Sequence, residues 1–131
     1  MEVQFVNLGL QYKELKEEIL EKIDYISSRG SYVLSEEVEN FEKNFAKYCG
    51  VKYSVGVGNG SDAIFFSLLS QNIGKDDEII TAPNSFVATA WTIANCGAKI
   101  VFSDVGEDYN INPHKIEKLI ICKRLLFCST V

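Results

Sequence analysis

Apolar residues recur every third or fourth position along the first fifty residues, a spacing that predicts two amphipathic helices. Residues 11–29 form the first, and its apolar positions are Tyr12, Leu15, Ile19, Ile23 and Ile26. The second follows Ser35, an N-cap residue type, and its apolar positions are Val38, Phe41, Phe45 and Tyr48. Gly30 and Gly50 follow the two helices, and glycine is the residue that most often ends a helix.

A different pattern starts at residue 53. Val55 and Val57 alternate with small polar or glycine positions, which predicts a half-buried strand over residues 53–57. Asn59 and Gly60 break this strand, and Ser61-Asp62 is the predicted cap of a helix that begins near residue 63. This helix is apolar on most sides until about residue 72, so we expect it to be buried.

The remaining chain alternates short strands and helices. Strands are predicted at residues 78–82 and 99–103, with a helix between them at residues 86–96. Asn112-Pro113 is typical of the start of a last helix. This order predicts one α/β domain over residues 1–131, with a parallel sheet covered by helices and with ligands gathering at the carboxyl ends of the strands.

Composition narrows the class of protein. A chain of 131 residues with 47% hydrophobic residues is typical of one folded soluble domain. The net charge of −5 argues against nucleic acid as a partner. No apolar run is long enough to span a membrane, and the start of the chain lacks the features of a secretory signal, so we expect a cytoplasmic protein.

The thiols and the single imidazole do not indicate a metal site. Cys49, Cys96, Cys122 and Cys128 lie far apart in the sequence, and we expect them to be buried, reduced thiols. His114 follows Pro113 in a predicted first helical turn, where a surface position is expected.

The turn around residue 60 is a candidate anion site. The first amides of a helix have no intrahelical partner and carry partial positive charge, so a phosphate fits there. Glycines before Ser61 let a ligand approach the backbone, and the Ser61 hydroxyl adds a donor. An ordinary strand-to-helix turn explains the same residues equally well. The dinucleotide fingerprint and the Walker motif are both absent.

Phe86 lies at the end of the next predicted strand, where it could face a ligand whose phosphate lies at the turn before Ser61. The fold class alone favours the alternative that Phe86 is a core aromatic residue, because aromatic residues usually serve packing. The pattern leaves both interpretations open.

Several motifs together resemble the N-terminal part of the DegT/StrS family of pyridoxal-phosphate-dependent sugar aminotransferases. In chain order they are LQYKELKEEI, EEVENFEKNFAKYCGVK, GVGNGSDAI, DDEIITAPNSFVATAWTI, GAKIVFSDV and YNINPHKIEKLI. The resemblance implies an α/β fold, the N-terminal part of the large domain of an aspartate-aminotransferase-like (fold type I) α-β-α sandwich. It also implies a homodimer.

The resemblance assigns roles to five residues. Gly60, Ser61 and Asp62 would hold the phosphate of pyridoxal 5'-phosphate, Phe86 would stack on its pyridine ring, and Thr89 would line the same pocket. The family reaction moves an amino group, normally from glutamate, onto a nucleotide-linked keto-sugar, as in amino-sugar and polysaccharide biosynthesis.

The family also needs a lysine that forms a Schiff base and an aspartate that holds the pyridine nitrogen protonated. No lysine of this sequence stands in a matching context. We therefore expect no catalytic residue in this chain and no transamination by it alone. The residues after Ile121 depart from the family pattern, which suggests a truncated or shifted reading frame.

Two alternatives remain open. The chain could act as a non-catalytic binding or interaction module that associates with itself or with a longer relative. It could also be part of a related sugar dehydratase, in which histidine replaces the lysine.

Overall fold

The computed structural model describes residues 5–120 and the backbone of residues 125–127. The chain divides into two compact units, residues 1–56 and residues 57–131. The sequence predicts a single domain over residues 1–131, and that assignment stays a prediction.

The first unit contains the two predicted helices. Helix α1 spans Leu8–Arg29 and helix α2 spans Glu36–Cys49. Helix α1 begins three residues earlier than predicted because the Asn7 side chain caps it, accepting a hydrogen bond from the Leu10 amide at 3.0 Å. Gly30 and Gly50 end the helices in the left-handed region, with φ of 63° and 66°, as predicted.

The predicted strand at residues 53–57 is wrong. These residues pair with no strand in the described part of the chain, and Tyr53 and Val55 are exposed. The Gly56 amide instead donates to a Glu42 carboxylate oxygen at 2.7 Å. Alternation predicts an extended backbone, but a strand also needs a neighbour to complete its hydrogen bonds.

The second unit is built on a parallel sheet. Its elements in chain order are α3 Gly60–Ser70, β1 Glu78–Thr81, α4 Val87–Asn95, β2 Lys99–Phe102, α5 Pro113–Ile116 with a 3-10 turn Glu117–Leu119, and β3 Leu125–Phe127. The strand order is β2-β1-β3, and both pairings are parallel. The predicted β-α-β unit is confirmed, whereas the sequence pattern did not predict β3. In register, Glu78 lies opposite Lys99, and their side chains form an ion pair at 2.6 Å.

A small apolar core joins the sheet to its helices. It consists of Leu68, Ile73, Ile79, Ile93 and Ala98. Helix α3 packs against α4 and buries Leu68, but Phe66 and Leu69 are 52% and 43% exposed. The expectation that α3 is buried all round is therefore wrong. Within the described residues, α3 buries only one face.

The thiols differ in their surroundings. Cys96, which caps the end of α4, is partly buried, and this burial raises the pKa of its thiol. Cys49 is exposed, against expectation, because it is the last residue of α2 and lies beyond the turn that buries Ala46. Cys122 and Cys128 lie outside the described residues.

His114 is exposed, as predicted, in a first turn that Asn112 caps: the Asn112 side chain accepts from the His114 amide at 3.0 Å. None of the helices that the structure describes has both the length and the hydropathy that crossing a bilayer requires.

Candidate active site

Helix α3 begins at Gly60, earlier than the predicted start near residue 63, and its cap also differs from the predicted one. The cap is Asn59, not Ser61-Asp62, and the Asn59 Oδ1 accepts from the Asp62 amide at 3.0 Å. The side-chain nitrogen of Asn59, Nδ2, also donates to the Asp62 Oδ2 at 3.0 Å. Asparagine is as good a cap as serine or aspartate, and capping by Asn59 lets Ser61 and Asp62 join the helix.

This cap leaves two amides of the first turn available. The Asp62 amide is bonded to the Asn59 side chain and the Ala63 amide to the Asn59 carbonyl, at 3.1 Å. In the described part of the chain, the amides of Gly60 and Ser61 have no acceptor. A Cβ added to Gly60 would meet no atom within 4 Å, so there is open space beside its Cα.

A cleft of about 630 Å³ opens beside these amides, within the size range of small-molecule sites. Four of the five predicted site residues line it: Gly60, Ser61, Phe86 and Thr89. Its other lining residues are Ile64, Thr81, Ala82, Asn84, Ser85, Ala88, Tyr109, Asn110 and Ile111. Asp62 does not line the cleft, because its carboxylate turns to Asn59.

Phe86 is presented to the cleft, not to the core. It is the N-cap residue of α4, with extended backbone angles of φ −62° and ψ 144°, and it is 77% exposed. The alternative that Phe86 is a core aromatic residue is therefore wrong for this chain. An aromatic face of this kind can stack on a flat ring.

Thr89 is the third residue of α4 and is almost fully buried. Its hydroxyl lies 3.0 Å from the Ser85 hydroxyl, and its amide donates to the Phe86 carbonyl at 3.0 Å. The Ser85–Thr89 pair thus stabilises the turn that carries Phe86.

The sequence patterns did not indicate that residues 109–111 line the cleft. The carbonyl of Tyr109 accepts a hydrogen bond from the Asn84 side chain at 2.9 Å, across 25 residues of sequence. Asn84 lies two residues after the predicted strand of residues 78–82, at the carboxyl end where site residues are expected. No local pattern marked Tyr109, because its position depends on this long-range bond.

The profile of the DegT/DnrJ/EryC1/StrS aminotransferase family matches residues 13–125. The chain belongs to the DegT/DnrJ/EryC1/StrS aminotransferase family. The resemblance of its motifs to sugar aminotransferases is thereby confirmed.

Two curated relatives place this DegT-family chain among longer proteins. A pleiotropic regulatory protein of Geobacillus stearothermophilus is 38% identical over 92% of this chain and 32% of its own length. A dTDP-3-amino-3,4,6-trideoxy-alpha-D-glucose transaminase of Micromonospora megalomicea subsp. nigra is 37% identical over 85% of this chain and 30% of its own length. The chain thus spans about a third of the length of the curated relatives it matches.

Solved structures of DegT-family proteins confirm the predicted fold class. The crystal structure of DesV from S. venezuelae matches 94% of this chain and 33% of its own chain, with a TM-score of 0.89 and 34% identity. The structure of NtdA from Bacillus subtilis holds the bound cofactor PMP, pyridoxamine phosphate. It is 29% identical to this chain, with a TM-score of 0.81, and the match covers 83% of this chain and 25% of the NtdA chain. Full-length relatives therefore depend on pyridoxal phosphate chemistry.

The residues of this chain fit such a cofactor. A phosphate needs hydrogen-bond donors and positive potential, and the start of α3 offers two amides and the Ser61 hydroxyl. A pyridine ring needs a flat apolar face, and the exposed Phe86 ring lies in the same cleft.

Proposed function

We propose that this chain supplies the phosphate end and the ring platform of a pyridoxal-phosphate site in a sugar aminotransferase. Gly60 and Ser61 would bind the phosphate through their amides and the Ser61 hydroxyl, and Phe86 would stack on the pyridine ring. The observation that carries this proposal is that one cleft is lined by the exposed Phe86 and by Gly60 and Ser61, whose amides have no acceptor among the described residues.

Asp62 would then act indirectly. Its carboxylate accepts from Asn59, and a carboxylate directed at a phosphate would be repelled by it. We therefore assign Asp62 the task of holding the turn in shape. Thr89 would line the pocket and fix the turn before Phe86 through its bond to Ser85.

For the whole protein we propose transfer of an amino group from glutamate to a nucleotide-linked keto-sugar. The bound cofactor would supply an electron-withdrawing ring, and the residues of this chain would bind and orient it. The lysine and the aspartate that the family requires have no match among the residues of this sequence. Residues 1–131 would form one incomplete large domain, and a cytoplasmic location stays a prediction.

The dehydratase alternative has less support. The transaminase relative is 37% identical to this chain, whereas a GDP-4-keto-6-deoxymannose-3-dehydratase structure is 23% identical and shares the fold alone.

Calorimetric titration of the chain with pyridoxamine 5'-phosphate tests the cofactor site, because this compound lacks the aldehyde that reacts with any exposed lysine. Pyridoxamine without the phosphate and inorganic phosphate separate the ring from the anion. We expect pyridoxamine 5'-phosphate to bind more tightly than either part. Phe86→Ala should weaken binding of both ring compounds, whereas Ser61→Ala should weaken binding of the phosphate compounds only.

Val87→Ala is the matched control, because Val87 is the neighbouring exposed residue and does not line the cleft. The proposal is wrong if pyridoxamine 5'-phosphate does not bind, or if Val87→Ala weakens it as much as Phe86→Ala.

We also propose that the chain self-associates as a homodimer. Helix α1 buries none of its residues within the described structure, yet it exposes Leu15, Ile19 and Ile23 at intervals of four, which places them along one face. Light scattering after size exclusion, repeated over a range of concentrations, measures the association. Ile19→Lys should produce monomers, whereas Glu18→Lys on the same helix should not. A monomeric parent chain at every concentration would contradict this proposal.

A further inference from the structure

The loop that connects β2 to α5 contains an unusual backbone at the edge of the cleft. Tyr109 has φ of +62°, in the left-handed region that a bulky side chain rarely adopts. Two other described non-glycine residues have positive φ, Leu34 and Asn72, but neither lines the cleft. Strain of this kind persists only where surrounding contacts impose it.

Local contacts hold residues 105–111 as a closed turn. The Gly106 amide donates to the Asn110 carbonyl at 2.8 Å, and the Tyr109 amide donates to the Gly106 carbonyl at 3.1 Å. The Asp108 carboxylate accepts from both the backbone and the side-chain amide of Asn110, each at 3.1 Å. Val105 and Ile111 form an antiparallel bridge that closes the turn at its base. The amides of Gly106, Tyr109 and Asn110 are therefore protected from exchange only while the turn is closed.

The bond from the Asn84 side chain to the Tyr109 carbonyl, at 2.9 Å, ties this closed turn to the segment before α4. Asn84 lies two residues before Phe86, and all three residues line the cleft. The bond therefore fixes the turn of residues 105–111 relative to the ring of Phe86. The bond is also exposed to solvent, so water can hydrogen-bond to the Tyr109 carbonyl when the Asn84 donor is removed.

We propose that Asn84 is a positioning residue that sets the width of the cleft by holding the turn of residues 105–111. This inference rests on the proposed cofactor site. When the Asn84 donor is lost, the turn opens more often, and a cleft that is competent for only part of the time binds its ligand correspondingly less tightly. One lost hydrogen bond predicts about five- to tenfold weaker binding.

Two measurements on the complete chain test this proposal. Hydrogen exchange, without ligand, reports the opening of the turn through peptides that cover residues 105–111. Calorimetry with pyridoxamine 5'-phosphate reports the affinity. Asn84→Ala and Asn84→Asp both remove the donor, and pyridoxamine without phosphate shows whether the charge of the aspartate matters. Asn95→Ala is the control, an exposed asparagine of α4 outside the cleft.

We expect both Asn84 variants to exchange faster over residues 105–111 and to bind the probe less tightly, with unfolding midpoints equal to that of Asn95→Ala. Unchanged exchange overturns the proposal, whatever the ligand does. Faster exchange with unchanged affinity also overturns it. If the parent chain does not bind the probe at all, the cofactor site fails and this inference fails with it.

Discussion

Asn59 and Asp62 are joined by two hydrogen bonds that run in opposite directions at the start of α3. The Asn59 Oδ1 accepts from the Asp62 amide, and the Asn59 Nδ2 donates to the Asp62 carboxylate, each at 3.0 Å. The pair differs from a capping box in one bond, because the Asp62 carboxylate accepts from the side chain of the cap and not from its backbone amide. The amides of Gly60 and Ser61 are left without an acceptor among the described residues.

Replacing Asn59 should weaken α3. Asn59→Ala removes the cap, and we expect it to lower the free energy of unfolding by about 1 kcal/mol in urea denaturation. Asn59→Ser keeps an acceptor for the Asp62 amide and should retain most of the stability. An Asn59→Ala chain as stable as its parent would contradict the assignment of the cap.

Gly58 is the position where a methyl group would disturb this pair. A Cβ at residue 58 would lie 2.7 Å from the Asp62 Oδ2, so the carboxylate would have to leave Asn59. We expect Gly58→Ala to cost about 1 kcal/mol, and to cost less in an Asp62→Ala background. Urea unfolding of the double-mutant cycle measures this coupling, with Gly60→Ala as the control because its Cβ meets nothing. Additive effects would be evidence against the contact.

The sequence predicted the elements whose signals are local. Gly30 and Gly50 end helices because the 3.6-residue pattern stops where glycine provides positive φ. Asn112 and Pro113 begin α5 for equally local reasons. The cap of α3 was missed because Asn59, Ser61 and Asp62 are all good cap residues, and only the surrounding geometry selects one of them.

Features that depend on residues distant in the sequence could not be predicted from local patterns. Alternation over residues 53–57 predicted a strand, but pairing depends on a neighbouring strand that the pattern does not specify. Motifs indicated the glycine turn and Phe86, which both line the cleft, but no motif indicated Tyr109, because a bond from a residue 25 positions away holds its turn.

Substitution of Ile93 tests how much the apolar core stabilises the second unit. Ile93 is fully buried in α4 among Leu68, Ile79 and Ala98. Ile93→Ala should cost about 2–5 kcal/mol, a large part of the roughly 5–15 kcal/mol that stabilises a typical domain. Val87→Ala, on the exposed side of the same helix, should cost far less. Urea unfolding compares the two, and equal losses would show that α4 is oriented differently.

The two described thiols should differ in reactivity. Burial raises the pKa of Cys96 and restricts access to it, so less thiolate is available there at neutral pH. Cys49 is exposed and should be alkylated first by iodoacetamide in the folded chain. Peptide mapping by mass spectrometry follows each site, and in urea the difference should disappear. Faster labelling of Cys96 in the folded chain would be inconsistent with the packing around α4.

Asp108 should titrate at a lower pH than a free aspartate. Hydrogen bonds from the side chain and the backbone amide of Asn110 lower its pKa in the folded chain. The turn is therefore fully stabilised above the unfolded pKa of about 3.9 and loses this stabilisation as the pH falls through the lower folded value. NMR titration of the Asn110 amide measures the midpoint, and Asp108→Asn should abolish the transition. A midpoint at or above the unfolded value would be the contrary result.

Phe86 precedes the first residue of α4, and it has the extended backbone of a cap residue, not that of a helical one. Its side chain is thus free of the helix propensities that constrain positions within α4. Exchanging phenylalanine for tyrosine, tryptophan or histidine would alter the electron density and polarity of the face that the cleft presents, with little effect on the folding of the helix. Substitutions at Phe86 can therefore change the site while the stability of α4 stays nearly the same.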